Sequence, residues 1–206
     1  MNMMFGYGTA GPNISNLLNA LSSGSNSSTS KSNSKNSCQN ATDDQYTKNA
    51  LEQYGGNMMS GNVPGLQQVC PNYQNLNQSQ REGFWTQFVD AVEKPESGCK
   101  SGPDSIFAET GNLKGTYSEG LLQLSVGDQA RGAPSACNLN SSNILNAQTN
   151  ITCGVAIMNG LSSNGITNNN KGMDAYWSTL RPGTTQNGQS TLATIESVAA
   201  SYPGCH

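Results

Sequence analysis

Carboxylates are the side chains of this sequence best suited to acid–base chemistry, because its only histidine is His206 at the end of the chain. Glu96 and Glu109 lie near the middle of the chain, followed by Glu119 and Asp128. A carboxylic acid donates a proton at neutral pH only where an apolar setting raises its pKa. Glu96 comes directly after an apolar stretch and is therefore the leading candidate for a proton donor.

An amphipathic helix must position Glu96. Apolar side chains recur at three- and four-residue steps, as in a helix with one buried face: Phe84, Trp85, Phe88, Val89 and Val92. Pro95 is predicted to end this helix, because a proline pushes the preceding residue out of the α region. Glu96 is then expected just beyond the helix end, close to apolar side chains. Glu93 is predicted to be a solvated charge on the helix surface, and the simpler alternative for Glu96 is a solvated glutamate in a turn.

Four short blocks follow one another along the chain. Glu96-Ser97 precedes Gly120-Leu121-Leu122-Gln123, then Asn150-Ile151-Thr152-Cys153-Gly154, then a tyrosine-bearing block that begins at Tyr176. In type and order these blocks resemble the lysozyme-like superfamily of goose-type lysozymes and soluble lytic transglycosylases. The gap from Glu96 to Gly120 is longer than is usual in that family, and the fourth block lacks its Tyr-Asn-x-Gly.

The resemblance implies a mainly helical (α+β) domain with a short β or irregular insertion after the catalytic helix. It further implies that the protein cleaves the glycan strands of peptidoglycan with Glu96 as the general acid. Water as the acceptor would make the protein a lysozyme, and the sugar's own 6-hydroxyl would make it a lytic transglycosylase. Because Glu109, Glu119 and Asp128 accompany Glu96, a preference for de-N-acetylated glycan, which carries free ammonium groups, is also a hypothesis.

The predicted substrate contacts surround the second block. Ser118 and Gln123 correspond to polar residues that line the cleft in the lysozyme-like superfamily, which the chain resembles. Tyr117 and Tyr176 are candidates to stack on sugar faces. Glu109 is a further candidate for substrate binding and the rival of Glu96 as the acid, although no apolar helix leads into it. Each of these residues could instead be an ordinary turn or edge residue, whereas three leucines are predicted to be core: Leu121, Leu122 and Leu124.

Composition argues against several other classes of protein. The chain of 206 residues has a net charge of −3, whereas nucleic-acid binding requires an excess of Lys and Arg, so no nucleic-acid partner is expected. No apolar run reaches the roughly 18 residues of a membrane span. A Ser-His-Asp triad would depend on the terminal His206. Because no Cys-x-x-Cys pair is present and the only histidine is at the end of the chain, no metal is expected. No Gly-rich phosphate loop is present, and no other cofactor is expected either. We also expect a monomer.

Six cysteines in a chain rich in Asn and Ser favour disulfides, and therefore a periplasmic or extracellular location. The pair closest in sequence, Cys137 and Cys153, is predicted to form one bond, and Cys99 another with Cys70 or Cys205.

Residues 1–37 are predicted to be a disordered, low-complexity tail, because they offer little apolar surface to bury. Residues 38–206 are the predicted catalytic domain. No signal peptide is visible at the start.

Three further helices are predicted. The first begins at a Thr42–Gln45 capping box and stops at Gly55-Gly56. The other two are marked by apolar residues at helical spacing: Ile151, Val155, Met158 and Leu161 for one, Leu192, Ile195, Val198 and Tyr202 for the other. From Gly98 to Thr116 the sequence predicts a small hairpin and loops.

Two other functions stay open at this point: a non-catalytic glycan-binding module and a surface protein whose tail mediates adhesion.

Overall fold

The computed structural model of the protein describes residues 35–109, 114–127 and 137–206. Within these ranges the chain is mainly helical with two small β ribbons, which confirms the predicted fold class. The α-helices are α1 (Ala41–Tyr54), α2 (Gly56–Ser60), α3 (Leu66–Val69), α4 (Gln78–Ser97), α5 (Ala147–Ser162) and α6 (Thr191–Ala200). Short 3-10 turns lie at Tyr73–Asn75, Gly102–Ser105, Met173–Ala175 and Ser178–Leu180. Asp128 and most of the predicted tail lie outside the described residues.

Helix α4 runs through the hydrophobic core. Its apolar stripe is fully buried, as its spacing predicts: Phe84, Trp85, Phe88, Val89 and Val92. The rings of Trp85 and Phe88 meet edge to face with their centroids 5.2 Å apart, a favourable geometry for aromatic pairs. The indole N–H of Trp85 donates to the hydroxyl of Tyr73 at 2.8 Å, so its polar group is satisfied inside the core. Helices α1 and α6 pack against α4, and α5 packs against α1.

The predicted end of α4 at Pro95 is wrong, because the helix continues to Ser97. A proline in the last turn removes only one hydrogen-bond donor from the helix. The turn is closed by Gly98, whose N–H donates to the carbonyl of Lys94 at 3.1 Å from a left-handed conformation. The hydroxyl of Ser97 also donates to the carbonyl of Glu93 at 3.1 Å. Glu96 therefore lies inside the helix, on the stripe of Phe88 and Val92, and not beyond its end.

Asparagine and serine side chains begin the other long helices. Asn40, not the predicted Thr42, caps α1, since its side chain accepts from the backbone N–H of Thr42 at 3.0 Å. Asn146 caps α5 through the N–H of Thr149, and Ser190 caps α6 in the same way. The two predicted C-terminal helices are confirmed as α5 and α6, although α6 ends at Ala200 and does not include the predicted Tyr202. Helix α1 ends at Gly55 as predicted.

The insertion after α4 is an antiparallel ribbon of β1 (Ile106–Ala108) and β2 (Tyr117–Glu119). Phe107 lies opposite Ser118 in this ribbon. A second ribbon, β3 (Thr185–Gln186) and β4 (Gln189–Ser190), leads directly into α6. The small hairpin predicted from Gly98 to Thr116 is present, but its second strand, Tyr117–Glu119, lies just beyond that range. The three leucines that follow it are buried.

Both predicted disulfide assignments are wrong. Cys38 bonds to Cys99, Cys70 bonds to Cys205, and Cys137 and Cys153 are buried free thiols. The pairs that form join parts of the chain 61 and 135 residues apart, so they link distant segments rather than close the shortest loop. Two disulfides fit an exported protein. No helix in the described part of the chain is long and apolar enough to cross a membrane.

Candidate active site

An open cleft of about 910 Å³ lies between the end of α4, the β1–β2 ribbon and the segment around Tyr176. It contains every site residue predicted from the sequence: Glu96, Glu109, Tyr117, Ser118, Gln123 and Tyr176. The other charged residues of its lining are Glu119 and Arg181. Residues separated by 80 positions in sequence therefore meet at one surface.

Glu96 is partly exposed to this cleft from the last turn of α4. Removal of its carboxyl group from water raises its pKa to about 7. The hydroxyl of Thr179 opposes this shift by donating to Glu96 Oε1 at 2.6 Å. The negative charge of Glu109 raises the pKa further, whereas the guanidinium of Arg181 lowers it. Such an acid is protonated in a large fraction of molecules at neutral pH and can donate.

Glu109 lies at the end of the β1–β2 ribbon, on the same cleft. Its backbone N–H donates to the carbonyl of Thr116 at 3.0 Å, which extends the ribbon by one step. The hydroxyl of Ser118 donates to Glu109 Oε1. Ser118 is therefore hydrogen-bonded to a carboxylate of the cleft, and both residues line the cleft.

A tight junction between two sequence blocks fixes the floor of the cleft. Asn150 at the start of α5 is fully buried, and its Nδ2 donates to the carbonyl of Glu119 at 2.9 Å. Its Oδ1 accepts from the N–H of Leu122 at 2.8 Å. Gly120 has a φ of +80°, and a Cβ there would lie 2.2 Å from the Asn150 amide. Gly154 likewise leaves room for Leu122, which a Cβ would approach to 2.2 Å.

Gln123 supports this junction from the cleft side. Its side-chain N–H groups donate to the carbonyl of Ser105 at 2.9 Å and to that of Gly120 at 2.7 Å. The side chain is 8% exposed, and its backbone is left-handed with a φ of 51°. The indole N–H of Trp177 donates to the carbonyl of Leu122 at 3.0 Å, which connects the segment around Tyr176 to the same turn. Gln123 thus holds the turn, in addition to lining the cleft.

Arg181 is held at the cleft by main-chain carbonyls. Its Nε donates to the carbonyl of Asp174 at 2.8 Å and an Nη to that of Ala175 at 3.3 Å. The Asp174 carboxylate is fully buried and accepts from the N–H groups of Asn168, at 3.0 Å, and of Gly172, at 3.0 Å. Asp174 therefore shapes the loop that presents Arg181.

The structure also contains site residues that the sequence did not indicate. Thr179 contacts Glu96 although 83 positions separate them, and no local pattern announces such a contact. Phe107, 47% exposed on β1, lines the cleft beside Tyr117, which is 54% exposed. In the ranges that the structure describes, no three Asp, Glu, Cys or His side chains form a group that could hold a metal ion.

Solved structures of DslA (Bd0314) from Bdellovibrio have the same arrangement of elements. Wild-type DslA matches this chain with a TM-score of 0.68 and 23% sequence identity, over 80% of this chain and 91% of DslA. A DslA mutant with one glutamate changed to glutamine gives a TM-score of 0.68 at 21% identity, over 86% and 95% of the two chains. This chain has the fold of DslA.

A second glutamate-to-glutamine mutant of DslA, changed at another position, gives a TM-score of 0.65 at 22% identity, over 80% of this chain and 91% of DslA. No protein-family model matches the chain, and no curated protein sequence is significantly similar to it. The likeness to DslA establishes how the chain folds, and the roles of the cleft residues rest on their own geometry.

Proposed function

We propose that this protein is a glycosidase that cleaves the glycan strands of peptidoglycan, with Glu96 as the general acid. The observation that carries the proposal is the setting of Glu96: an open cleft, a carboxyl whose pKa burial raises to about 7, and a hydrogen-bond donor on one of its oxygens. Glycosidic cleavage requires a carboxylic acid that is still protonated near neutral pH. The match in fold to DslA is consistent with this proposal and adds no activity to it.

In the proposed reaction, Glu96 gives its proton to the bridging oxygen as the bond to the anomeric carbon breaks. The bonding electron pair stays with that oxygen, so the leaving sugar departs as an alcohol and the remaining sugar becomes positively charged. Glu109 lies on the same cleft and would stabilise this charge electrostatically. A water then adds its oxygen to the anomeric carbon, and one of its protons passes to a carboxylate of the cleft.

The walls of the cleft suit a sugar polymer. Phe107 and Tyr117 present exposed rings, against whose faces sugar rings can pack. Ser118, Glu109 and Arg181 supply hydrogen-bonding groups beside them. The cleft is open rather than enclosed by the described residues, as an endo-acting enzyme on a long chain requires.

Digestion of purified cell wall, followed by mass spectrometry of the sugar ends, tests the proposal. New reducing ends are expected. Ends with 1,6-anhydro sugars would identify a lytic transglycosylase, in which the sugar's 6-hydroxyl replaces water. Absence of any new ends would reject cleavage and favour a glycan-binding module. The Glu96→Gln variant, treated in parallel, controls for contaminating activity.

We further propose that the enzyme prefers de-N-acetylated glycan and acts outside the cytoplasm. Two further glutamates, Glu109 and Glu119, line the cleft against the single arginine Arg181, so even with Glu96 protonated the charge of the lining favours a sugar that carries a free ammonium group. The test is a side-by-side digestion of acetylated wall and of the same wall treated with a deacetylase. Faster release from the deacetylated wall is expected, and equal rates would reject the preference.

A further inference from the structure

Thr179 is buried beside the candidate acid. Its side chain is 8% exposed, and its hydroxyl donates to Glu96 Oε1 at 2.6 Å. The carbonyl of Thr179 accepts from the hydroxyl of Thr191, the first residue of α6, at 2.7 Å. The next residue, Leu180, is fully buried in the core. The backbone of Thr179 is therefore anchored to α6 and the core by contacts that do not involve Glu96.

A hydroxyl supplies a single proton donor, and here that donor is committed to Oε1. When a carboxyl group is protonated, one oxygen carries the proton and the other is an acceptor only. The Thr179 hydrogen bond is compatible with a proton on Oε2, because Oε1 already accepts. It also persists after the proton has left, since a carboxylate is an even better acceptor.

We propose that Thr179 is a positioning residue that directs the acidic proton of Glu96 onto Oε2 and stabilises the carboxylate left after proton transfer. The inference rests on the proposed function, because it assigns the geometry of that same acid. In the cleavage step the O–H bond at Oε2 breaks, the proton moves to the bridging oxygen and its bonding pair stays on Glu96. Throughout this step the Thr179 hydroxyl keeps its own proton and donates to Oε1.

Arg181 acts on Glu96 in a different way. Its charge lowers the pKa of Glu96, but its guanidinium is occupied with the carbonyls of Asp174 and Ala175. A long-range charge stabilises the carboxylate as a whole and does not distinguish Oε1 from Oε2. Thr179 makes a directional contact with one oxygen of Glu96. Removal of its hydroxyl therefore has an effect that can be distinguished from that of the Arg181 charge.

The test compares Thr179→Val, which keeps the shape and removes the donor, with Thr179→Ser, which keeps the donor. The pKa of Glu96 is measured by titration of its carboxyl carbon in ¹³C NMR, which requires no activity. We expect valine to raise this pKa by about one unit, since a hydrogen bond to a charged group is worth about that much, and serine to leave it near the wild-type value. The alkaline limb of the pH–rate profile should move up by the same amount in the valine variant alone.

Thr184→Val is the matched control, because the Thr184 hydroxyl donates to the carbonyl of Ser178 in the same segment without contacting Glu96. It should leave the pKa of Glu96 unchanged. Should the valine variant not fold, Thr179→Ala removes the same donor without a branched side chain. An unchanged pKa in a folded variant that lacks the donor, or a serine variant that behaves like valine, overturns the inference. Failure of the proposed function is distinguished by the absence of new sugar ends from wild-type protein, which leaves the titration valid.

Discussion

Helix α4 carries two glutamates three residues apart whose pKa values are both raised, and they lie in opposite settings. Glu96 is partly exposed to the cleft, and its carboxyl accepts a hydrogen bond from Thr179. Glu93 is 1% exposed, and neither of its carboxyl oxygens has a hydrogen-bond partner among the described residues. The expectation that Glu93 is a solvated surface charge is therefore wrong.

Glu93 belongs to a carboxylate cluster at the packed face of α1 and α4: Asp43, Asp44, Asp90 and Glu93. Burial raises the pKa of Glu93 to about 8, and the charges of Asp43 and Asp44 add to the effect. The pKa of Asp90 is raised to about 9, mainly by burial, then by Asp44, Glu93 and Asp43, with Lys48 opposing. At neutral pH these two groups are held as neutral acids inside the protein.

The two settings separate a raised pKa from a usable proton. Both glutamates keep a proton near neutral pH, but Glu93 is 1% exposed, so the described residues leave no open space to which its proton could be delivered. Glu93 also lacks a donor to stabilise the carboxylate that would be left behind. Perturbed pKa values mark functional sites only in combination with access and a partner. By these criteria Glu96 is the catalytic candidate and Glu93 a neutral element of the helix interface.

The largest expected effect separates the two glutamates by activity. Glu96→Gln should lower kcat on cell wall by roughly 10²–10⁴-fold, because glutamine keeps the shape and removes the proton donor. Glu93→Gln is the matched control on the same helix and should keep most of the activity. Release of sugar ends per unit time measures both variants, and Glu109→Gln should be measured beside them. The distinction between the two glutamates is refuted if Glu93→Gln is as inactive as Glu96→Gln, or if the kcat of Glu96→Gln equals that of the wild type.

A somewhat smaller effect concerns the Cys38–Cys99 disulfide, which touches both regions. The N–H of Cys38 donates to the carbonyl of Asp90 at 3.0 Å, and Cys99 follows the turn that ends α4 after Glu96. Replacing both cysteines with serine removes the closure of a long loop. We expect a loss of about 4 kcal/mol in the free energy of unfolding in the chain-entropy model. Activity should also fall, because the acid-bearing turn loses its anchor.

The Cys70–Cys205 bond serves as the control for that experiment. It closes an even longer loop, of 135 residues, and neither of its cysteines lines the cleft. Its serine double variant should lose comparable stability in urea unfolding while the folded fraction keeps its kcat. A kcat that is unchanged in both double variants would show that the Cys38–Cys99 bridge, too, acts on folding alone.

The smallest effect is on stability and depends on pH. Glu93 has a folded pKa of about 8, above its unfolded value, so the folded state binds more protons in between. Stability should therefore fall as the pH rises from about 4.5 towards 8, and Asp90 should extend this decline towards pH 9. The glutamine of the Glu93→Gln variant cannot ionise. At pH 8 the free energy of unfolding of this variant should therefore exceed that of the wild type by about 1–3 kcal/mol.

At pH 5 the wild-type Glu93 is already neutral, and the advantage of the glutamine variant should disappear. Urea unfolding at both pH values supplies the measurement. A variant that is less stable than wild type at pH 8 as well as at pH 5 would mean that the Glu93 carboxylate has a stabilising partner. The cluster would then resemble the Glu96 site more closely than the structure indicates.

Local patterns in the sequence predicted the four longest helices, α1, α4, α5 and α6. The spacing of Phe84, Phe88 and Val92 identified α4, and the position of Glu96 relative to this stripe placed it near apolar side chains. The prediction that α4 ends at Pro95 was wrong, because a proline near a helix end removes one hydrogen-bond donor without stopping the helix. Had the stripe of Trp85 and Val89 been extended by one turn, it would have indicated the burial of Glu93.

Features that depend on distant contacts could not be read from local patterns. Thr179 acquires its place beside Glu96 from the packing of α6, and the disulfides join segments that are far apart in the chain. Nearest neighbours in sequence, such as Cys137 and Cys153, are a poor guide once the fold brings other cysteines together. Asn40 caps α1 because its side-chain oxygen accepts from the free N–H of Thr42, which is itself already inside the helix.

The junction of Asn150 with the turn after β2 has a consequence for how this protein can evolve. All three amide hydrogen bonds of Asn150 are made to main-chain atoms, those of Glu119, Leu122 and Ile144. Mutations can therefore replace the side chains around the turn without disturbing its shape, provided that Gly120 and Gly154 keep the space they leave open. We expect a lineage with this architecture to drift far in sequence, anchored by one amide and two glycines, while loops on either side take on new substrates.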